Sequence, residues 1–420
     1  MTQSTLYGER SARLEDWATT FEGNKTLPVH RWYPYVEGFS GQFVDAALQR
    51  FKPRRVLDPF CGCGTTLVEA TLHGIDSVGV DVNPFLCFVT KVKTRLSIDP
   101  ERMKRQIDNV SDKLEGSIGP LNSGTTDETA VREGVLRDIF GDRPYFSKII
   151  LRKIQNAKDL VMKIEDEETR DIFRMCLGSI LLKVSNLRRG PDLAYKKEKL
   201  NDAPVYHLLK TKLFEVYTDL RSVQRKNFGR AQVHEGDAKD LRFLRKNSVD
   251  LVVTSPPYLN GTNYVRNTKL ELWVLDFISE EGDLRKLRDK AITAGINDVV
   301  KAQRGRIRAR FDYVNEIVED LNERAYDTRI PLMVEKYFDD INEVMTGLQR
   351  VIGPGGHCVW VVGDSQFSNV YVPTDDITRK IAASTPGGGL RLVTHEVVRQ
   401  RRSRSGMKLR ESVLVFGKDQ

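Results

Sequence analysis

The apolar run from Val249 to Thr254, broken only by Asp250, stops at Ser255-Pro256-Pro257-Tyr258. Such a run reads as a buried parallel strand, and two prolines end it abruptly. Shorter apolar runs at Val56–Asp58, Ser77–Asp81, Ala231–Glu235 and His357–Val362 carry the same strand signal. Between them the pattern lengthens to a helical period: from Thr65, after Asn83-Pro84, and over Gly41–Phe51, Lys269–Phe277 and Pro331–Val351, the last ending at Gly353-Pro354-Gly355-Gly356. This alternation predicts an α/β protein with a mostly parallel, Rossmann-like sheet. Leu392–Arg399 and Ser412–Phe416 alternate or run apolar, so a terminal antiparallel strand pair is expected.

Two stretches interrupt the alternation. Residues 99–230 are charged and helically periodic, with glycines and hydroxyls breaking the pattern at 116–126. Apolar positions Ile172, Phe173, Met175, Cys176, Ile180, Leu181 and Val184 predict a helix packed into protein. The reading is one catalytic domain, 1–98 and 231–420, with a mostly helical insertion at 99–230. A polar, basic insertion at 279–330 lies within that domain. Residues 1–27 read as an irregular arm, and no internal repeat is evident.

Composition narrows the class. The 420 residues carry 66 Lys plus Arg against 58 Asp plus Glu, a net charge of +8. The excess is clustered. Lys301, Arg304, Arg306, Arg308 and Arg310 have no acid between them, and Arg399, Arg401, Arg402, Arg404, Lys408 and Arg410 form a second group. Such runs either neutralise phosphates or form a solvated basic face. No apolar stretch is long enough to span a bilayer, and no secretory pattern opens the chain. Five cysteines match no disulfide framework, and no Cys/His array has zinc spacing, so no metal is expected. A reduced, cytoplasmic setting fits.

The chemistry gathers at strand ends. Asp58-Pro59-Phe60-Cys61-Gly62-Cys63-Gly64-Thr65-Thr66 is a glycine-bearing turn between a strand and a helix. Glycine serves where backbone must approach a ligand closely. Asp81 ends the next strand, where an acid can accept from ribose hydroxyls. The turn lacks the glycine patterns of pyrophosphate sites, so the expected ligand is a nucleoside. Phe60 either stacks on that ligand or is a buried aromatic. Asp237, after the third strand, either accepts from an adenine amino group or caps the following turn. Ser255-Pro256-Pro257-Tyr258 presents a rigid polar and aromatic tip beyond a carboxyl strand end, where open α/β sheets bind ligands. It suits a flat, amino-bearing ring.

In this order the motifs resemble those of the S-adenosylmethionine-dependent DNA amino methyltransferases, the cytosine-N4 and adenine-N6 group. Their Asp-Pro-Phe-x-Gly-x-Gly-Thr motif matches residues 58–65, and their [Ser/Asn/Asp]-Pro-Pro-[Tyr/Phe/Trp] motif matches 255–258. The resemblance covers 28–98 and 231–275 well and 332–420 loosely. It implies a cofactor set of Asp58, Phe60, Gly62, Gly64, Thr65, Thr66, Asp81, Asn83 and Asp237. It also implies a catalytic set of Ser255, Pro256, Pro257 and Tyr258. An aromatic amine is a poor nucleophile, so Ser255 and the Pro256 carbonyl are expected to draw its hydrogens out of plane. Tyr258 is expected to stack on a base flipped from the duplex. Within the resembling group, serine at position 255 favours cytosine N4 over adenine N6. The implied partners are double-stranded DNA and a cognate restriction endonuclease. Arg304, Arg306, Arg308, Arg310, Arg401 and Arg402 are the expected DNA contacts. An RNA or tRNA amino methyltransferase is the first alternative, and an idle DNA-binding subunit the second.

Overall fold

The computed structural model describes residues 20–35, 37–116, 144–190, 193–223, 227–259, 264–299, 311–403 and 405–420. Seven strands form one sheet: β1 Arg55–Asp58, β2 Asp76–Asp81, β3 Ala231–Glu235, β4 Val249–Thr254, β5 Ile352–Gly363, β6 Arg391–Arg402 and β7 Lys408–Gly417. Their spatial order is β6-β7-β5-β4-β1-β2-β3. β7 pairs antiparallel with both β5 and β6, so it alone opposes the sheet direction. The remaining pairings are parallel. The expected terminal pair is thus present, with β6 running along the sheet and β7 against it. This is the Rossmann-like methyltransferase fold, with one antiparallel strand near its edge.

Strand alternation sorts the core. Val56, Leu251, Val253, Val359, Val361, Val413 and Val415 pack under helix α1, Gly41–Phe51, together with Phe43 and Val44. Leu57, Val252, Cys358, Trp360 and Leu414 point the other way. The α2 (Thr65–Leu72) and α3 (Pro84–Thr94) helices follow β1 and β2. The stretch read as a helical insertion contains α4 Pro100–Gly116, α5 Lys148–Met162, α6 Glu167–Val184 and α7 Val205–Ser222. Their apolar faces share one core with Phe85 and Val89 of α3 and with Trp32 and Tyr33. Asp219 of α7 accepts from Val29 N at 3.0 Å, Arg31 Nε at 3.1 Å and Trp32 Nε1 at 2.9 Å. That carboxylate ties the helical block to the segment before α1.

Beyond β4 come α8 Lys269–Val274, α9 Glu281–Lys290, α10 Asp312–Arg324, α11 Arg329–Val351 and α12 Thr374–Ser384. Two sequence boundaries shift. The helix expected to Phe277 ends at Val274, because Asp276 takes a left-handed φ of 59°. Gly353–Gly356, read as the end of a helix, is a bulge within β5: Val249 faces Ile352, yet Leu251 already faces His357. Gly355, at φ 74°, allows the excursion.

Candidate active site

The strand order reverses between β2 and β4 on either side of β1, which opens a crevice beyond their carboxyl ends. A cavity of about 310 Å³ lies there. Its wall includes Phe60, Gly62, Asp81, Asn83 and Asp237, and all of Ser255, Pro256, Pro257 and Tyr258. Residues from four strand ends, far apart in sequence, thus face one space.

The glycine turn divides into two layers. Asp58 lies beneath the crevice, 2% exposed, and does not line it. Its Oδ1 accepts from Phe60 N at 3.1 Å and Thr254 Oγ1 at 2.7 Å, so it pins the end of β1 to the end of β4. Burial pushes its carboxyl up to about 6. Thr66 Oγ1 donates to the Val253 carbonyl at 3.2 Å, and Thr65 is buried at the helix start. Gly64, at φ 84°, begins α2, and a Cβ there would sit 2.6 Å from Thr90 Cγ2. Asp58, Gly64, Thr65 and Thr66 therefore build the turn rather than face the crevice. Gly62, at φ 49°, is the part of the turn that lines the crevice, packed against the Tyr35 ring. Phe60 meets Trp360 edge to face, with centroids 6.2 Å apart, and leaves a side on the crevice.

Asp81 stands at the tip of β2. Its carboxylate accepts from Gly62 N at 2.9 Å and Asn83 N at 2.8 Å. Burial raises its pKa to about 6, although those N–H bonds oppose the rise. Two N–H bonds leave lone pairs on the carboxylate for hydroxyl donors. Asn83 caps α3 by accepting from Phe85 N at 3.1 Å and donates Nδ2 to Thr268 Oγ1 at 2.8 Å. It joins the Asp81 side of the crevice to the segment after the Ser-Pro-Pro-Tyr tip. Asp237 lines the crevice, and its Oδ1 accepts from Lys239 N at 2.9 Å, as expected of a residue that caps the following turn.

At the other end, the half-buried Tyr258 ring lies against Gly363 at the tip of β5. A Cβ on Gly363 would come within 3.1 Å of two ring carbons, so glycine makes the seat. The Tyr258 backbone N–H donates to Tyr264 Oη at 3.0 Å. Burial raises the Tyr258 phenol, the Glu411 charge adds to the rise, and the Ser255 side chain is a hydrogen-bond partner.

Residues outside the two motifs also line the crevice. Tyr35, Glu37, Tyr264, Arg399 and Glu411 all line it. Glu37 accepts from Asn267 Nδ2 at 2.7 Å, and burial raises its carboxyl. Its neighbours in sequence offer no motif, although the aromatic run His30–Tyr35 lies just before it. Within that run Trp32 and Tyr33 are core, and Tyr35 faces the crevice. Of the expected DNA contacts, Arg401 lines the crevice and donates Nη2 to the Asp364 carbonyl at 3.1 Å. Arg402 is exposed beside Lys408. Arg304, Arg306, Arg308 and Arg310 lie outside the described residues. Arg410 is not a surface cation but a structural one, bound to Asp364 at 3.0 Å and Asp375 at 2.7 Å.

Fold and crevice together define a Rossmann-like methyltransferase architecture. No protein-family model matches the chain. It is similar to the type II methyltransferase M.BsoBI of Geobacillus stearothermophilus, at 23% identity over 95% of this chain and 87% of that one. It is also similar to the type II methyltransferase M.MvaI of Kocuria varians, at 24% identity over 84% of this chain and 80% of that one. Among solved structures, the rRNA methyltransferase aviRa of Streptomyces viridochromogenes aligns over 92% of this chain and 86% of its own, at 8% identity and a TM-score of 0.32.

Proposed function

We propose that this chain is an S-adenosylmethionine-dependent DNA methyltransferase that modifies the exocyclic amino group of a flipped base, cytosine N4, within a restriction-modification system. One observation carries the reading: Asp81 and Gly62 at one end, and Ser255 to Tyr258 at the other, open on a single cavity. The likeness to type II methyltransferases over most of the chain supports it.

The residues fit the cofactor. Asp81 keeps carboxylate lone pairs for ribose hydroxyls, Gly62 brings bare backbone to the crevice, and Phe60 supplies an apolar face. Asp237 is the acceptor for an adenine amino group. Bound there, adenosylmethionine supplies an electrophilic methyl group. The chain's own work is on the acceptor. Ser255 Oγ and the Pro256 carbonyl accept hydrogen bonds from the amino group and favour tetrahedral character at nitrogen. These bonds strengthen as positive charge develops there, which lowers the barrier rather than merely tightening binding. Tyr258, seated on Gly363 and tied through its backbone to Tyr264, holds the ring plane by stacking. The two prolines keep this tip stiff, so positioning costs little entropy at the moment of reaction. No covalent enzyme intermediate is needed.

Ser255 in the first motif position favours cytosine. The helices α4–α7 and the 279–330 segment are the proposed target-recognition regions. Arg304, Arg306, Arg308, Arg310, Arg401 and Arg402 are proposed phosphate contacts, and a cognate restriction endonuclease is the proposed functional partner in the cytoplasm. The test is Ser255→Ala beside Tyr258→Ala. Each should lower turnover roughly 100-fold or more, the scale of losing one aimed polar contact in a transition state, while calorimetry finds cofactor affinity unchanged. Wild-type turnover in both variants would reject the catalytic assignment.

A further inference from the structure

Three strands place a ladder of residues beside the Tyr258 ring. Gly363, on which the ring rests, is the register partner of Glu411, and Glu411 is the register partner of Arg399. Cross-strand partners on one face lie about 5 Å apart. Glu411 is 4% exposed, an unusual burial for a carboxylate. Arg399 Nη2 meets Glu411 Oε2 at 2.9 Å, while about half of the arginine side chain (51%) remains exposed. Both side chains line the cavity that holds Ser255–Tyr258. Neighbouring Arg410 behaves differently: Asp364, Asp375 and Asp376 all hold it, and it serves the fold. The work of Ser255 and Pro256 on the amino group makes no use of the Arg399–Glu411 pair.

We propose that Arg399, oriented by Glu411, reads the target base by donating to the ring nitrogen N3 and the carbonyl O2 of a flipped cytosine. The inference rests on the cytosine reading above and adds the group that enforces it. Once Ser255 and Pro256 engage the amino hydrogens, cytosine still carries two adjacent acceptors, N3 and O2. Left unpaired in a closed pocket, they would oppose flipping. A guanidinium presents several N–H donors with parallel pairs at the matching spacing, so Arg399 can meet Glu411 at Nη2 and still donate to a base. Adenine offers N1 and then a C–H, so the same guanidinium finds one acceptor rather than two. The carboxylate has a second effect. The target nitrogen becomes cationic during transfer, and a lone arginine beside it would oppose that charge. Paired with Glu411, Arg399 donates its hydrogen bonds from a neutral unit. The influence of both side chains on the Tyr258 phenol is consistent with their proximity to the stacking ring.

The test uses the full-length enzyme, tritiated adenosylmethionine and unmethylated DNA, with products digested to nucleosides. Arg399→Ala should lower the rate of N4-methylcytosine formation roughly 10- to 100-fold, the discrimination carried by a bidentate contact to a base. Cofactor affinity should stay at the wild-type value, because Arg399 pairs with Glu411 on the Tyr258 side of the crevice, while the melting temperature should fall, since the substitution leaves the buried Glu411 carboxylate without this partner. Arg399→Lys, a point donor, should recover only part of the rate. Glu411→Ala should raise KM for DNA and lower kcat, and Glu411→Gln, which keeps an acceptor for Arg399, should be rescued in part. Rates within twofold of wild type for both Arg399→Ala and Glu411→Ala would overturn the inference while leaving the cytosine reading intact. Wild-type enzyme that labels no cytosine at all is the separate result that removes the cytosine reading and this inference together.

Discussion

At the residue scale, the site depends on two acids with different tasks. Asp58 joins strands, and Asp81 faces the crevice, yet desolvation holds both near a pKa of about 6. For Asp81 the sign is direct. Below about 6 its carboxyl is protonated and loses acceptor capacity. Adenosylmethionine affinity should therefore rise with pH and level off above neutrality, falling roughly tenfold per pH unit well below the pKa. Asp81→Asn should bind weakly and without that pH step in a calorimetric series. A flat wild-type profile from pH 5 to about 7.5 would remove Asp81 from cofactor recognition. The stability sign is opposite. Because both folded values are raised, each acid favours the folded state below its unfolded pKa of about 4 and loses that contribution as pH rises through about 6. Spacing made the turn legible but not its two layers. Whether Asp58 or Phe60 faces the ligand depends on where the Thr254 hydroxyl sits across β4, which no local pattern encodes. The basic cluster behaved similarly. Alternation separates Arg399 and Arg401 from Arg410, but only the register with β5 and β7 shows which face meets the crevice.

At the element scale, strands and helices were largely readable because their period of burial is local. The misplaced boundaries both have local causes of another kind: the left-handed Asp276 ends α8 early, and the β5 bulge absorbs Gly353–Gly356. Backbone conformation, rather than hydrophobic pattern, decides both. The start of α2 makes a sharp case. Gly64→Ala would force a Cβ against Thr90 at 2.6 Å and a left-handed φ on alanine. The expected loss is on the order of 1–3 kcal/mol, seen as a lower melting temperature with weakened cofactor binding; an unchanged melt would argue against this packing. The α7 helix gives the second case. Asp219 is 1% exposed and holds Val29, Arg31 and Trp32. Asp219→Ala would leave those donors unpaired and should cost about 3–5 kcal/mol, the range for breaking a buried charged pair. Guanidinium unfolding would measure it, and a loss under about 1 kcal/mol would show the clamp to be dispensable. Nothing in the sequence linked Asp219 to Val29, because the contact crosses the whole helical block.

At the scale of the molecule, a mostly parallel sheet carries the cavity at its switch point, while the added helices α4–α7 pack against α3 beside it. The class was legible because two short motifs sit at strand ends, where fold rules place ligands. Target recognition was not, since base readout depends on side chains meeting groove edges. If Arg304, Arg306, Arg308 and Arg310 touch phosphates, their joint replacement by alanine should reduce the slope of log affinity for DNA against log salt. The reduction should be about 0.9 for each phosphate no longer neutralised. Titrations at several salt concentrations give that slope directly, and an unchanged value would make the run a solvated surface. Everything proposed for the crevice rests on methyl transfer from adenosylmethionine to a base amino group in DNA. The most direct measurement of that reaction is incubation of the enzyme with tritiated cofactor and unmethylated DNA, followed by digestion and mass identification of the labelled nucleoside. Labelled N4-methylcytosine is the expected product. Label in tRNA with none in DNA, or no transfer at all, would contradict it.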